Sequence, residues 1–308
     1  MMIEELNDGM HVDGQFLVSN VARCVNNVGG TYLNIELKDA SGSIQAKKWD
    51  SNAKDEEAFI VGNVVQIRGE VNKYKESLQL KIVSYELVPL NDVDTSRFMK
   101  APPIPKETLV KNFNDVVASI KNEDCSKILK YLINKYKNKL FDHPAGVSVH
   151  HEYSSGLLVH VLTMVKMAEA MIEIYPNINR DILITGILIH DMGKLFEFEG
   201  PVVYKYTVEG RLLGHISIMM GELSKAIEIL GIKGETPMLL EHMVLSHHAL
   251  PEYGSPVVPM TKEAFILSQI DNLDSKMVVL EKALENTAKG NFTQKIYPLD
   301  GRSFYKPN

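Results

Sequence analysis

Cysteine is almost missing from this chain. Cys24 and Cys125 are the two that occur in 308 residues, and 101 positions separate them. They make no close metal pair, and a cytosolic protein keeps both as thiols. Long apolar runs are missing as well: none approaches the ~18 residues of a membrane span, so no membrane association is expected. The opening segment, MMIEELNDGMHVDG, is acidic and has no apolar stretch. No signal peptide is therefore expected, and the compartment reads as cytoplasm. Excess positive charge is absent too. The net charge is −6, so a polyanion would not be held here by bulk attraction. Tryptophan occurs once, at Trp49, which makes that position one to follow. Hydrophobic residues at 45% and charged residues at 23% exclude a disordered or collagen-like chain.

Two features of the sequence are uneven. Residues 97–139 hold ten Lys and Arg against four Asp and Glu, whereas the segments on either side are acidic. That is the one electrostatic footprint of the kind nucleic acid favours, although a solvated helix face has the same composition. The second feature is histidine. Nine of the ten lie between His143 and His248, about a third of the chain. Imidazole is the commonest metal ligand and titrates near neutrality, so such a cluster suggests a metal or acid–base site.

Residues 14–88 alternate apolar and polar in five short runs: GQFLVSNVARCVNN, TYLNIELKDA, SIQAKKW, NVVQIRGEVNKY and SLQLKIVSYELV. Asp39–Gly42 reads as a turn, and Asn52–Phe59 as one short helix between the third and fourth strands. Five strands in this order predict an all-β OB-fold barrel over residues 1–88, a fold that binds single-stranded nucleic acid or oligosaccharide. The run Leu37-Lys38-Asp39-Ala40-Ser41-Gly42-Ser43-Ile44 resembles the anticodon-binding type of that barrel. Tyr32 and Trp49 are its candidate base-stacking residues, with Trp49 as a barrel plug the other reading. Residues 89–105 contain Pro89, Pro102, Pro103 and Pro105 and read as a linker. From Lys106 onward the period is helical. Helices are expected over Glu107–Ser119, Asp124–Lys139, Ser155–Ile174, Arg180–His190, His215–Leu230, Pro237–His247 and Thr261–Thr287. Residues 290–308 read as an extended tail.

Polar residues interrupt several of these apolar helices. The helix ILITGILI runs into His190-Asp191-Met192-Gly193-Lys194, with Gly193 as a candidate helix stop. A buried helix should not end in a histidine and an aspartate unless both are paired. His160 lies within GLLVHVLTMVKMA, His215 follows Leu213-Gly214, His247 and His248 close a helix, and Asp271 sits in FILSQIDNLDSKM. Five separate elements thus each place an imidazole or a carboxylate where a core would take leucine. Neighbouring helical residues point ~100° apart. His247 and His248 therefore share a site only if the helix ends between them.

This series resembles the HD-domain metal-dependent phosphohydrolases. The strings HHEYSSGLLVH (150–160), HDMGKL (190–195) and LSHHALPEYGSP (245–256) resemble the YhaM-type 3′-to-5′ exoribonucleases in particular, which also join an OB-fold to an HD domain. The resemblance implies an all-α HD domain over residues 106–308. It implies that His160, His190, Asp191 and Asp271 hold one divalent ion, and that Asp191 bridges to a second held by His215 and by His247 or His248. It favours manganese, while the N and O donors also suit iron, cobalt and zinc. The catalytic residues would be Asp191, and Lys194 reaching a phosphate oxygen, unless Lys194 serves the carbonyls of a helix end. His150 and His151 are candidate phosphate contacts, with solvated loop histidines the other reading.

The function so implied is removal of nucleoside 5′-monophosphates from the 3′ end of single-stranded RNA by a metal-activated water. Single-stranded DNA is a further partner to consider, and assembly of several copies is left open. Two other readings stay beside it: an HD-type phosphodiesterase or nucleotidase for a small nucleotide, with a regulatory barrel, and a non-catalytic RNA-binding protein. His11, His143 and His242 read as structural or solvated.

Overall fold

The computed structural model describes every residue except 27–28, 75–76, 90–91, 95–96, 99–101, 147–152 and 201–203. The chain divides into two compact units. The first comprises residues 1–101 with 199–205, and the second residues 102–198 with 206–308.

The first unit is a five-stranded sheet of β1 (His11–Val25), β2 (Thr31–Lys38), β3 (Ser43–Trp49), β4 (Val64–Tyr74) and β5 (Ser77–Val88). Its order, β1-β2-β3-β5-β4, closes because β1 pairs with β4 along its first half and with β2 along its second. The register shifts between Val18 and Asn20, where β1 changes partners. The core follows the two-residue period of the sequence: Leu33, Ile35 and Leu37 of β2 and Ile44 and Ala46 of β3 point inward. The short helix α1 (Ala53–Ala58) is held by a capping box. Asn52 accepts from the amides of Lys54 and Asp55, and Asp55 accepts from the amide of Asn52. At the Asp39–Gly42 turn, Asp39 accepts from the amides of Ser41, Gly42 and Ile3. In the expected linker 89–105, Phe98 is buried against Leu17 and Val64.

The second unit is helical. Its elements are α2 (Lys106–Ala118), α3 (Glu123–Leu140), α4 (Gly156–Ile174), α5 (Arg180–Ile189), α6 (Lys194–Glu197), α7 (Val208–Leu230), α8 (Glu235–Ser246) and α9 (Lys262–Glu285). Side-chain oxygens cap several of them at the sequence positions that favour it. Asn122 accepts from Cys125, Asn179 from Ile182, Thr207 from Gly210 and Thr261 from Ala264. α4 and α5 are apolar almost all round because both run through the centre of the domain, where their faces meet α9 and α8. Gly186 of α5 is the point of closest approach, since a Cβ there would lie 2.3 Å from Met243 Cε.

Three sequence expectations need correction. The domain is not wholly α, because Phe198–Glu199 and Lys205–Tyr206 form a small two-stranded ladder. The helix expected to open at His215 begins about two turns earlier, at Val208, and is kinked at Gly214 (φ 69°, ψ 154°). The expected extended tail doubles back on itself, with Phe292 bridging Tyr305 and Ile296 bridging Arg302. A turn at Leu299–Arg302, with Asp300 and Gly301 in the left-handed region, makes that reversal. Among the described residues, no helix is long and apolar enough to cross a membrane.

α3 docks on α7 through one polar knot. Glu222 of α7 accepts from Tyr136 and from Lys135 (2.7 Å) of α3, and from Lys225 of its own helix (3.0 Å). Burial alone would raise the Glu222 carboxyl, but these donors, Lys135 foremost, pull it down from 4.5 to about 2. The lowered value means stability that is present above pH 4.5 and lost as pH falls toward 2. Glu222→Gln should therefore cost about 1 kcal/mol at pH 7, a value discounted for the surface exposure of Lys135. Urea titrations of both proteins from pH 7 down to pH 3 should show that gap narrowing. A gap that is constant with pH would mean that the carboxylate charge contributes nothing.

Candidate active site

Five helices converge in the second unit. α5 ends at Ile189, so His190 and Asp191 leave it together, as the sequence implies. α8 ends at Ser246, which satisfies the condition on His247 and His248: His247 caps the helix with backbone angles still helical, and His248 lies beyond it. His160 comes from the second turn of α4, His215 from just after the α7 kink, and Asp271 from α9. His160, His190, Asp191, His247 and Asp271 are all buried. Their ligand-type atoms fall into overlapping groups, each within 4.8 Å: His160, His190 and Asp191; His190, His247 and Asp271; and His215, His247 and His248.

Asp191 stands at the centre, and its two oxygens face different partners. Oδ2 lies 3.6 Å from His160 Nε2 and 3.4 Å from His190 Nε2. Oδ1 lies 3.6 Å from His215 Nε2 and 3.8 Å from His247 Nε2. Asp271 Oδ1 is 3.3 Å from His160 Nε2. Donors ~2.1 Å from a shared ion stand roughly 3.0–3.4 Å apart, so these separations are close to those a divalent ion requires. His190 Nε2 and Asp191 Oδ1 are buried without a hydrogen-bond partner among the described residues. Buried polar atoms left this way are costly unless something else engages them, and an ion is a natural candidate. The residues fit a divalent cation.

The other ring nitrogens explain why every Nε2 faces inward. Nδ1 of His190 donates to the Ile187 carbonyl (2.8 Å), that of His247 to Val244 (2.7 Å) and that of His248 to Tyr253 (2.8 Å). A carbonyl only accepts, so each Nδ1 carries the proton and leaves an Nε2 lone pair for the site. His160 Nδ1 is held by Asp274 at 2.6 Å, and His215 Nδ1 lies 3.2 Å from Glu197. Glu197 also accepts from the His215 amide, capping the second segment of α7 after the kink. Asp274 and Glu197 were not singled out in the sequence. One signal was available: Asp274 follows Asp271 by three residues, close to one helical turn.

Charges in the cluster respond to one another. Burial would raise Asp191, but Lys194 and His190 beside it hold it well below the usual carboxylate range. Burial would raise Asp271 too, and His160 brings it down. His160 itself, which burial would lower, is pushed up to about 9 by Asp271 and Asp274. A cation held there would compete with that proton. Burial keeps His247 well below the usual histidine value and lowers His248.

Of the two positions expected for Lys194, the contact with helix-end carbonyls is not the one seen. Lys194 is the first residue of α6, is buried, and donates to Asp191 Oδ2 at 2.7 Å while also lining the open cavity. Gly193 also differs from expectation. Its φ of −60° and ψ of −23° are ordinary right-handed values, so it is no left-handed helix stop. Its role is close approach, since a Cβ there would lie 2.1 Å from the His215 carbonyl oxygen. The missing side chain lets α7 press on the His-Asp turn and brings His215 within reach of Asp191. His150 and His151 lie outside the described residues. His143 is buried and stacked on Phe198, and His242 Nε2 accepts from the Met260 amide.

The site opens into a cavity of about 830 Å³ bordered by His215, His247, His248 and Asp271. In the first unit, Tyr32 and Trp49 pair across β2 and β3 with ring centroids 4.7 Å apart. Trp49 is 41% exposed, so it does not plug the barrel. Lys47 Nζ lies 5.3 Å from the Trp49 ring, 5.6 Å from Tyr32 and 5.7 Å from Tyr74. Lys47 and Tyr74 are members of this surface that the sequence reading missed.

Known proteins agree with both halves. The family model of the OB-fold nucleic acid binding domain matches residues 17–88, and that of the HD domain matches residues 157–276. The chain is 44% identical over 300 residues to the 3′-5′ exoribonuclease YhaM of Geobacillus sp. (strain WCH70), covering 97% of this chain and 93% of that protein. It is 41% identical over 308 residues to the 3′-5′ exoribonuclease YhaM of Bacillus velezensis, covering 100% of this chain and 98% of that one. Among solved structures, the second OB-fold domain of replication protein A from Methanococcus maripaludis matches 29% of this chain and 93% of its own. That likeness, at 19% identity and a TM-score of 0.24, is too slight to argue from.

Asp274 tests the arrangement without touching a ligand atom. Asp274→Asn should weaken divalent-ion binding ten- to hundredfold by loosening His160. Calorimetric titration with Mn²⁺ reads the loss, with far-UV circular dichroism to check the helices. Unchanged affinity would remove Asp274 from the site.

Proposed function

The chain belongs to the YhaM family of 3′-5′ exoribonucleases, and we propose that its hydrolytic chemistry takes place at the Asp191 cluster of the helical unit. The carrying observation is the pair of Asp191 oxygens, each turned to a different pair of Nε2 atoms. His160, His190, Asp191 and Asp271 would hold one divalent ion. His215, His247 and His248 would hold a second, with Asp191 shared between the two. Manganese is the favoured ion, and iron, cobalt or zinc suit the same donors. Ions bound there supply Lewis acidity to the phosphoryl oxygens and lower the pKa of a water.

The protein's own groups do the rest. Lys194 uses one N–H on Asp191 and has two more to direct at a non-bridging phosphate oxygen, where negative charge grows in the transition state. The Nδ1 anchors hold five imidazoles in place, so little reorganisation accompanies reaction. A water oxygen bonds to phosphorus as the bond from phosphorus to the upstream ribose 3′-oxygen breaks. That 3′-oxygen leaves and takes up a proton. The products are a nucleoside 5′-monophosphate and an RNA one residue shorter.

The barrel supports a polymeric substrate over a free small nucleotide. Tyr32 and Trp49, with Lys47 against both rings, make a surface aromatic pair of the kind that receives unpaired bases irrespective of sequence. Single-stranded DNA offers the same π-faces and phosphates and is expected to bind as well. Base-paired segments present no free face. A 5′-labelled RNA with a 3′ single-stranded tail beside a stable hairpin should give a ladder that shortens from the 3′ side and stops near the stem. Early mid-strand fragments, or immediate release of labelled mononucleotide, would sink the reading.

Two variants divide the roles. Asp191→Ala should abolish hydrolysis and reduce metal content while leaving the helical signal intact, and near-normal turnover would overturn the assignment. Trp49→Ala should weaken binding of a long single strand by roughly five- to a hundredfold, the range for losing one stacked base. Equal affinity across a salt series would move the strand off this face.

A further inference from the structure

The cavity beside Asp191 extends well past the cluster, and one helix lines much of it. Phe265, Gln269, Asn272 and Lys276 all face this space. Their spacing of four, three and four residues puts them within about 60° of one another on α9. This stripe is distinct from the one that carries Ser268, Asp271 and Ser275. Along the axis, Phe265 lies about 9 Å before Asp271 and Lys276 about 7.5 Å after it, at 1.5 Å per residue. The chemistry is therefore flanked by an aromatic on one side and a cation on the other.

The aromatic side is unusually bare. Phe265 is 57% exposed and Tyr253 62% exposed, yet both border the cavity. Large aromatics left open at the rim of a site are available to a ligand face. Tyr253 is also tied to the cluster, because its carbonyl accepts from His248 Nδ1. The volume, about 830 Å³, is that of a pocket for a nucleotide-sized ligand. Gln269 and Asn272 lie on the same stripe between the aromatic and the cation, both exposed. Their amides each offer donors and an acceptor, which is what a ribose with two hydroxyls can pair with.

We propose that this cavity is the subsite for the 3′-terminal nucleotide, with its base against Phe265 and Tyr253, its ribose at Gln269 and Asn272, and the next phosphate upstream at Lys276. The assignment rests on the exonuclease reading and deepens it by fixing the direction in which the strand lies along α9. A base is gripped by its π-face alone, so all four nucleotides are accepted. One nucleoside lies between the scissile phosphate and the aromatic side, so one is released per cut.

The test uses the full-length protein with Mn²⁺ and two 5′-labelled RNAs, identical except that one ends in a nucleotide without a base. The intact enzyme should remove the complete terminal nucleotide roughly five- to a hundredfold more efficiently in kcat/KM, the value of one stacked base. Phe265→Ala should bring that ratio close to one, and Phe265→Trp should keep it. Phe265 is exposed, so its removal leaves the core packing intact, and circular dichroism checks the fold. Lys276→Gln should raise KM for both RNAs and flatten the salt dependence. A ratio that survives Phe265→Ala, or an intact enzyme that does not distinguish the two ends, overturns the subsite. An intact enzyme that shortens neither RNA from the 3′ side overturns the exonuclease reading, and the subsite with it.

Discussion

The helical unit is organised by the need to hold four carboxylates, a lysine and several imidazoles inside an apolar core. Each such group, left alone, would cost more than its burial returns. The solution is that each imidazole is anchored on its outer nitrogen. Three of the anchors are backbone carbonyls at or near a helix end, where carbonyls lack their own helical partners. Two are carboxylates, Asp274 and Glu197. The ends of α5 and α8 are thus part of the cluster, because a helix one residue longer would consume the carbonyl and turn the ring away. Lys194 supplies the matching positive charge, since burial would lower it and Asp191 holds it above its ordinary value.

Much of this was legible in the sequence because the violation was visible. A histidine or aspartate within an apolar helix stands out, and His160, His190, Asp191, His215, His247, His248 and Asp271 were all found that way. Glu197 and Asp274 were not, because an acidic residue on a helix is ordinary until its partner is known. The reason for Gly193 was hidden for a different cause. A glycine after a helix suggests a turn, whereas here the constraint comes from the carbonyl of His215, 22 residues away in sequence. The early start of α7 was concealed by Gly214, whose left-handed φ kinks the helix just where the sequence reads as an end.

The barrel was legible for the opposite reason, because it obeys its period. β2 and β3 alternate inward and outward through Leu33–Leu37 and Ser43–Ala46, so the same count that buries Leu33, Ile35, Leu37, Ile44 and Ala46 turns Tyr32, Lys47 and Trp49 outward. Tyr74 shows the limit of that reasoning. It belongs to β4, and its proximity to Lys47 depends on β5 lying between β3 and β4 in the sheet order. Strand order is a property of closure, which the period of a single strand does not carry.

α9 joins the two kinds of constraint. An α-helix turns about 100° per residue, so a single rigid element presents adjacent stripes at fixed separation. One face of α9 carries Asp271 and Asp274, which are buried and tied to His160. The other stripe, Phe265 to Lys276, meets open cavity. Because both belong to one 24-residue helix, the distance from Asp271 to whatever the outer stripe holds is set by backbone hydrogen bonds. A loop would have to be ordered afresh by each substrate, at an entropic cost of about 1–2 kcal/mol per residue. An enzyme that must cut, shift its strand by one nucleotide and cut again benefits from keeping that distance invariant. The Thr261 cap at one end and the His160 contacts at its middle fix the helix that keeps it.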